Sequence, residues 1–275
     1  MTPVREQRQR AAARARLEQQ MAERLEAAQQ RRKRNAFIGG GVGLLLVVGL
    51  TIWGITALTG GEKPAASPSA AAAPSGCQWV PDDIKQNPNL KDVGAPPTEV
   101  PRAGTQLMTI TTSLGVIEVE MDVTHAPCTA ASYAHLASKN FFDNSSCHRM
   151  VTEGFKILQC GGVGKEPGAS GPTYKFAEEN LPTGKNPTYE RGTVAMANTG
   201  QPASTGSQFF LIDQDIPEAN LPANYTVLGK IVKGLDILDK VIAAGAVDEA
   251  GKATGDGKPK TPVVIKSVTV APVKA

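Results

Sequence analysis

An arginine and three amide side chains lie in separate strand-like segments of the second half of the sequence, at Arg149, Gln159, Asn198 and Gln208. Such groups can hydrogen-bond a peptide, and the aromatic and aliphatic residues near them can hold an apolar ring. Taken alone, the arginine is explained by an ion pair and Gln208 by a satisfied core amide. Their joint occurrence predicts a peptide-binding pocket, in which Gln208 shares a strand face with Phe210 because the two are two positions apart.

The residue sets of several other chemistries are missing. Cys147 and His148 are strand neighbours whose side chains point to opposite faces, so they cannot form a catalytic dyad, and no G-x-S-x-G segment occurs. In "GGVGKEPG", Glu follows Lys165 where a phosphate-binding loop has Ser or Thr. No C-x-x-C occurs and the three histidines are widely spaced, which argues against zinc. The sequence predicts neither a metal nor another cofactor.

The chain that carries these residues divides by charge. Residues 1–34 hold ten Lys/Arg and four Asp/Glu, which gives +6, and the remaining nineteen and twenty-two give −3. Residues 1–35, rich in Ala, Arg, Glu and Gln, therefore predict a basic helical tail on the cytoplasmic side. Three interpretations of this tail remain open: a solvated helix beside the membrane, a helix that contacts anionic lipid, and a short coiled coil. The slightly acidic body predicts no nucleic-acid partner.

Residues 36–58 contain no charged side chain over twenty-three positions. A helix of this length spans a hydrocarbon core of about 30 Å, and "RRKR" at its N-terminal end predicts that this end stays in the cytoplasm. We therefore expect a single-pass anchor with the C-terminal domain outside the cell membrane. A cleavable signal peptide and a lipid-anchored Cys77 are the weaker alternatives, because the run exceeds a signal peptide's apolar core and ends long before Cys77.

Residues 59–104 read as an extended linker, since eight prolines fall between Gly60 and Gly104. Cys77 and Trp79 could fasten part of this segment to the domain. An outward-facing domain permits disulfides, and the four cysteines allow three pairings. Cys147 and Cys160 flank an apparent hairpin and could lie opposite each other.

Residues 105–275 predict a mainly β domain. Short alternating segments give eight strands, and "APCTAASYAHLASKNFF" and "GLDILDKVIAA" give two helices. Many short strands with few helices favour a closed eight-stranded antiparallel barrel, because closure removes exposed strand edges. The two helices would cap its open ends.

Three blocks of the domain resemble the signature segments of the cyclophilins, which are peptidyl-prolyl cis–trans isomerases: "HRMVTEGFKILQCGG", "GTVAMANTG" with "GSQFFLI", and "NLPANYTVLGKI". Their order and spacing also match, over roughly residues 105–272. The sequence of tail, apolar span, linker and domain is similar to that of membrane-anchored cyclophilins of actinobacterial type. The resemblance implies a cyclophilin-like fold and isomerase activity.

The resemblance also implies roles for individual residues. Arg149 matches the catalytic arginine, Gln159 the glutamine that positions it, and Phe155 the pocket phenylalanine, although Lys156 or Ile157 could take that place. The residues implied to bind substrate are Ala197, Asn198, Thr199, Gln208, Phe210, Leu221 and Tyr225.

Three positions depart from the family pattern. Asn220 stands where many cyclophilins have tryptophan, so at most weak binding of cyclosporin is expected. Tyr225 replaces a pocket histidine, and Thr199 replaces a small alanine.

The predicted function is acceleration of rotation about Xaa-Pro bonds in unfolded, exported or cell-envelope proteins, through a hydrogen bond from Arg149 to the prolyl nitrogen. No bond is broken, which agrees with the missing nucleophile. The alternative is a non-catalytic module that binds proline-containing peptides at the membrane surface. A third hypothesis makes the basic tail the functional end, with the domain as a passenger.

Overall fold

The computed structural model describes residues 76–274. The predictions of a basic tail over residues 1–35 and a membrane span over residues 36–58 lie outside the described residues. Within residues 76–274, the helices are too short or too polar to cross a bilayer.

The described residues form a mainly β structure with two α-helices, as predicted. The helices are α1 (Pro127–Ser138) and α2 (Leu235–Ala244). The strands are β1 (Val80–Pro81), β2 (Leu90–Lys91), β3 (Thr105–Thr112), β4 (Gly115–Asp122), β5 (Ser145–Ser146), β6 (Arg149–Val151), β7 (Ile157–Cys160), β8 (Gly171–Pro172), β9 (Tyr174–Lys175), β10 (Thr193–Met196), β11 (Phe209–Ile212), β12 (Val227–Lys233), β13 (Ala246–Val247), β14 (Ala253–Thr254), β15 (Asp256–Pro259) and β16 (Val264–Val270).

Twelve of these strands form one sheet in the order β14-β13-β15-β6-β7-β11-β10-β12-β4-β3-β16-β5. The order has two ends, so the expectation of a closed eight-stranded barrel was wrong. The reason lies in the segment predicted as one strand around Cys147. The chain pairs with β16 through β5 and with β7 through β6, and between them Cys147 and His148 donate backbone hydrogen bonds to Val263 and Gln159. Because the segment bends between β5 and β6, no single strand pairs with both β16 and β7, and the ladder of backbone hydrogen bonds does not close into a ring.

The sheet separates two hydrophobic clusters. Met150, Leu158, Leu211 and Val194 lie opposite one another across β6, β7, β11 and β10 and belong to the main core. The alternate residues on these strands point to the other face and contribute to a second, smaller cluster. Because of this alternation, the residues predicted to bind substrate lie outside the main core.

The helix α1 begins at Pro127, as expected for a first-turn proline. Its N-terminal N–H groups at Cys128 and Thr129 donate to the carboxylate of Glu179, at 3.2 and 2.8 Å, and the Thr129 hydroxyl adds a third bond at 2.8 Å. A carboxylate here satisfies donors that the helix itself leaves unpaired and complements the helix dipole. This contact fastens the Gly- and Pro-rich excursion between β7 and β10 to the helix.

The second half of the predicted linker lies against the domain. Cys77 forms a disulfide with Cys128 at the start of α1, and Trp79 contacts Tyr174 and Phe176 edge-on at 5.4 Å between ring centroids. The strands β1 and β2 pair with β9 and β8. Cys77 and Trp79 thus fasten this segment to the domain.

Cys147 and Cys160 form the second disulfide, with their Cα atoms 4.0 Å apart. Their expected position across a hairpin is confirmed by the pairing of β6 with β7. Cys77 and Cys128, 51 residues apart, are joined by contacts that the spacing of cysteines did not predict.

Candidate active site

A row of four residues crosses the outer face of the sheet. In the strand register Arg149 lies opposite Gln159, Gln159 opposite Phe210, and Phe210 opposite Ala195. Directly opposed residues in an antiparallel sheet project their side chains to the same face. The register therefore brings the predicted arginine, one predicted glutamine and one predicted phenylalanine together on β6, β7 and β11.

Two glutamines connect this row to a neighbouring loop. The Oε1 atom of Gln159 accepts a hydrogen bond from Nη1 of Arg149 at 3.3 Å, and its Nε2 atom donates to Oε1 of Gln208 at 2.9 Å. The Nε2 atom of Gln208 faces the carbonyl oxygens of Pro167, Gly168 and Ser170 at 3.0–3.1 Å. Because three acceptors fix which end of Gln208 carries the donors, they also fix the orientation of Gln159.

A carboxylate holds the other side of the arginine. The Nε and Nη2 atoms of Arg149 donate to the two carboxylate oxygens of Asp256 at 2.8 and 2.7 Å. The hydrogen bond and the charge of Asp256 raise the pKa of Arg149 above its usual value, so the guanidinium is charged at any pH at which the protein folds. The arginine side chain is 44% exposed and that of Asp256 53%, so this ion pair is open to solvent.

Apolar residues form a cluster beside the row. Phe210 is buried and meets the ring of Tyr225 edge-on, with 5.4 Å between ring centroids. Leu221 is buried in the same cluster, and Phe155 is half-buried against it. Of the alternatives to Phe155, Lys156 is exposed and Ile157 is buried within the cluster. Phe155 and Tyr225, which are only partly buried, are the members of the cluster that an apolar ring can contact.

Two interactions hold the loops that carry this cluster. The Nδ2 atom of Asn220 donates to the carbonyl of Gly154 at 2.8 Å, which joins the Leu221 loop to the Phe155 loop. The buried hydroxyl of Tyr189 lies 3.1 Å from the Pro222 carbonyl oxygen and accepts the backbone N–H of Tyr225 at 3.0 Å. Burial raises the pKa of Tyr189 to about 12, so the hydroxyl stays protonated and keeps both bonds.

The residues after β10 form an accessible edge. The Asn198 side chain donates to the Asn224 carbonyl at 2.9 Å and accepts from the Gly200 N–H at 3.0 Å. Within residues 76–274, the backbone of Asn198 makes no backbone hydrogen bond, so it is available to pair with a peptide. Ala197 donates its N–H to the Gln208 carbonyl at 2.9 Å, and the exposed Thr199 donates its N–H to Ser204 at 3.1 Å.

A groove of about 380 Å³ adjoins the row. Its lining includes Gln159, Gln208, Ala197, Asn198 and Thr199, together with Asp82, Asn87 and Leu90 of the N-terminal segment. The predicted polar site residues thus face this groove or the row, whereas the predicted apolar ones belong to the cluster.

His148 precedes Arg149 in the chain and is partly buried. Its Nδ1 atom has no hydrogen-bond partner among the described residues. Burial, and secondarily the positive charge of Arg149, lower the pKa of His148 below its usual value. The ring is therefore neutral at pH 7.

Sequence reasoning missed Asp256 and Tyr189 as parts of the site. Asp256 stands in "TGDGKP", which reads as a turn, and it lies 107 residues from Arg149 along the chain. Tyr189 follows a loop rich in glycine and proline. No local pattern marks either residue, since their roles arise from long-range contacts.

Comparison with known proteins places the chain in a family. Residues 107–270 match the model of the cyclophilin type peptidyl-prolyl cis-trans isomerases. The chain is 41% identical over 201 residues to the probable peptidyl-prolyl cis-trans isomerase B of Mycobacterium leprae, covering 66% of this chain and 65% of that protein, just under two thirds of its length. It is 39% identical over 218 residues to the protein of the same description from Mycobacterium tuberculosis, covering 74% of this chain and 67% of that one.

A solved structure is also similar. The cyclophilin type peptidyl-prolyl cis-trans isomerase of Cryptosporidium parvum matches with a TM-score of 0.50 at 25% identity, covering 61% of this chain and 98% of that one.

Proposed function

The chain belongs to the family of cyclophilin-type peptidyl-prolyl cis-trans isomerases, and from this premise we propose that it accelerates rotation about Xaa-Pro bonds. The observation that carries the proposal is the register row in which Arg149, Gln159 and Phe210 lie side by side across three strands. A charged donor, the amide that orients it and an apolar pocket are thereby joined on one face.

Rotation about a peptide bond faces a barrier of roughly 18–20 kcal/mol, because the C–N bond has double-bond character. Both isomers of an Xaa-Pro bond are populated, and their exchange takes tens of seconds or longer. When the bond twists, the prolyl nitrogen regains its lone pair and becomes a hydrogen-bond acceptor. A donor that meets this nitrogen only in the twisted state lowers the barrier.

Arg149 supplies that donor. A guanidinium has five N–H groups, and three are directed to Asp256 and Gln159, which leaves two for a substrate. Its charge strengthens a hydrogen bond to the twisted nitrogen, and each tenfold gain in rate requires about 1.4 kcal/mol of such differential stabilisation.

The remaining site residues hold the two sides of the rotating bond. The proline ring occupies the cluster of Phe155, Phe210, Leu221 and Tyr225. The free backbone groups of Asn198 pair with the peptide, with Ala197 and Thr199 as neighbours on the same edge. Contacts that hold one side of the bond while the other side turns lower the barrier when they bind the twisted state more strongly than the planar states.

We further propose that the substrates are exported or cell-envelope proteins and that the enzyme is anchored in the membrane by residues 36–58 with its domain outside. The apolar run and its basic flank support this topology, and the two disulfides are consistent with an oxidising compartment. A reporter active only outside the cytoplasm, fused after Ala275, tests it. We expect this reporter to be active. If it is inactive and a reporter that works only in the cytoplasm is active at the same position, the proposed topology is wrong.

The isomerase proposal is tested by NMR exchange spectroscopy on a short Xaa-Pro peptide with the full chain, purified in detergent, and with Arg149→Ala. Faster exchange that collapses in the variant supports both the activity and the role of the arginine. Binding of the peptide without faster exchange would instead establish the alternative, a non-catalytic module for proline-containing peptides.

A further inference from the structure

Asp256 is held against Arg149 by a hairpin that the family's signature segments do not include. The strand β15 pairs with β6 so that Asp256 lies opposite Val151 and Gly257 opposite Met150. The N–H of Thr152 adds a bond to the Gly255 carbonyl at 2.8 Å. The carboxylate thus belongs to a strand fixed directly beside the strand that carries the arginine.

Gly257, which follows Asp256, permits this close approach. A Cβ atom at Gly255 would overlap the carboxyl group of Glu153, and one at Gly257 would overlap the carbonyl oxygen of Val247. Since the exposed Glu153 side chain can move aside whereas the Val247 carbonyl cannot, only position 257 requires glycine for β15 to lie where it does, and this backbone packing places Asp256 together with its own ion pair.

The contact uses the fork of the guanidinium in a specific way. Asp256 takes one N–H each from Nε and Nη2, and Gln159 takes one from Nη1. The bidentate contact fixes the plane of the guanidinium, because two parallel bonds cannot both survive a rotation of that plane. One N–H on Nη1 and one on Nη2 then remain for a substrate.

We propose that Asp256 is a positioning residue for the isomerase reaction, which holds the guanidinium of Arg149 in the plane that meets the twisted prolyl nitrogen. This inference rests on the proposed function. Asp256 acts through the arginine, whose side chain is 44% exposed and would otherwise sample several rotamers.

The opposing effect is that a carboxylate partly neutralises the charge on which the arginine depends. Because this ion pair is exposed, solvent screens most of the charge interaction. By contrast, a displacement of the guanidinium by about 1 Å can lower the rate by up to a hundredfold. Orientation therefore outweighs neutralisation, and removal of the carboxylate slows the reaction.

The test compares Asp256→Asn with Glu249→Gln in the full chain. Both substitutions remove one carboxylate from the same hairpin region, but Glu249 pairs with Lys258 and does not touch Arg149. Exchange spectroscopy on an Xaa-Pro peptide is expected to show about fivefold lower kcat/KM for Asp256→Asn, mostly in kcat, as for the loss of ~1 kcal/mol from a bidentate pair. Glu249→Gln is expected to match the wild type.

Two further measurements separate positioning from a structural role. The NMR signal of the Arg149 Nε–H is expected to shift and broaden in Asp256→Asn, and Asp256→Glu, which keeps the charge, should recover part of the rate. In an Arg149→Lys background, Asp256→Asn should cost nothing more, because lysine has no fork to orient.

The outcomes are distinct. A wild type that does not accelerate exchange would overturn the proposed function itself. An active wild type whose Asp256→Asn variant keeps full kcat, or loses as much activity in the Arg149→Lys background as in the wild type, would overturn the positioning role alone.

Discussion

Gln159 donates a hydrogen bond of 2.9 Å from its Nε2 atom to Oε1 of Gln208, and this bond aligns both amides. Gln208 cannot reverse its amide, because its Nε2 atom faces three carbonyl oxygens. The Oε1 atom of Gln159 is therefore left to accept from Arg149. The carbonyl groups of the loop at Pro167–Ser170 thus orient Gln208, Gln208 orients Gln159, and Gln159 presents its Oε1 atom as an uncharged acceptor to Arg149.

Gln208→Glu should destabilise the protein. The substitution replaces a donor facing three carbonyl oxygens with a charged acceptor, and unsatisfied or repelled polar groups in such sites cost about 1–3 kcal/mol each. We expect the free energy of unfolding to fall by about 2 kcal/mol or more at pH 7, measured by urea denaturation. Gln201→Glu, at an exposed position on the same loop, should stay within about 0.5 kcal/mol of the wild type. Equal stability of Gln208→Glu and the wild type would contradict the assigned amide orientation.

Phe155→Ala should impair activity more than Lys156→Ala. Phe155 packs against the cluster of Phe210 and Leu221, whereas Lys156 is exposed. Loss of the ring removes apolar contact worth about 1.5 kcal/mol, so kcat/KM should fall roughly tenfold, while Lys156→Ala should match the wild type in the same exchange assay. A larger loss in Lys156→Ala would move the pocket position to residue 156.

Asn220→Trp should strengthen binding of cyclosporin. Many cyclophilins carry tryptophan at the matching position, and here Asn220 instead bonds the Gly154 carbonyl. A buried indole edge adds about 1–2 kcal/mol of contact, or roughly tenfold in affinity. Isothermal titration calorimetry on the wild type, Asn220→Trp and Asn220→Ala separates the added ring from the lost hydrogen bond. An unchanged affinity in Asn220→Trp would show that another position limits binding.

Local patterns predicted the elements that depend on neighbours in the sequence. The strands β3 and β4 pair over their whole lengths, from Thr105 opposite Asp122 to Thr112 opposite Gly115, and Ile117, Val119 and Met121 are all buried on one face as their period of two indicated. Both described helices also lie where the sequence predicted them.

Features that depend on distant contacts were not predictable. The fork between Arg149 and Asp256 spans 107 residues, and the carbonyls that orient Gln208 belong to a Gly/Pro-rich excursion without periodicity. The open end of the sheet arises because one segment pairs with β16 and then with β7, which a pattern of alternating residues cannot reveal. The resemblance, rather than local pattern, is what assigned roles to the site residues.

Lowering the pH should reduce the free energy of unfolding through protonation of His148. The pKa of this histidine is lowered, mainly by burial, so the unfolded chain binds its proton first as pH falls below about 6.5. The contribution of His148 to the free energy of unfolding is fully present above its pKa in the unfolded chain. It is lost as the pH falls from that value to the lower pKa of the folded protein. The stability advantage of wild type over His148→Gln, from urea unfolding, should therefore be larger at pH 7.5 than at pH 5.

The comparison with His148→Gln is needed because another group titrates in the same range. Burial, and secondarily the neighbouring Asp239 carboxylate, raise the pKa of Asp213 to about 6, and a raised carboxyl pKa makes stability fall as pH rises. This contribution is common to both proteins and cancels in the difference. A difference that does not change with pH would contradict the lowered pKa of His148.

The two disulfides should contribute unequally to stability. In the chain-entropy account, closing the 51-residue separation of Cys77 and Cys128 is worth about 4 kcal/mol, against about 3 kcal/mol for the 13-residue separation of Cys147 and Cys160. The paired variants Cys77→Ser/Cys128→Ser and Cys147→Ser/Cys160→Ser allow this comparison by urea unfolding. The first should also speed hydrogen exchange in β1 and β2, because Cys77 fastens that segment to α1, whereas the second should not. Unchanged exchange in β1 and β2 after loss of the Cys77–Cys128 bond would mean that the packing of Trp79 alone holds the segment, and the bond would then stabilise only by restricting the unfolded chain.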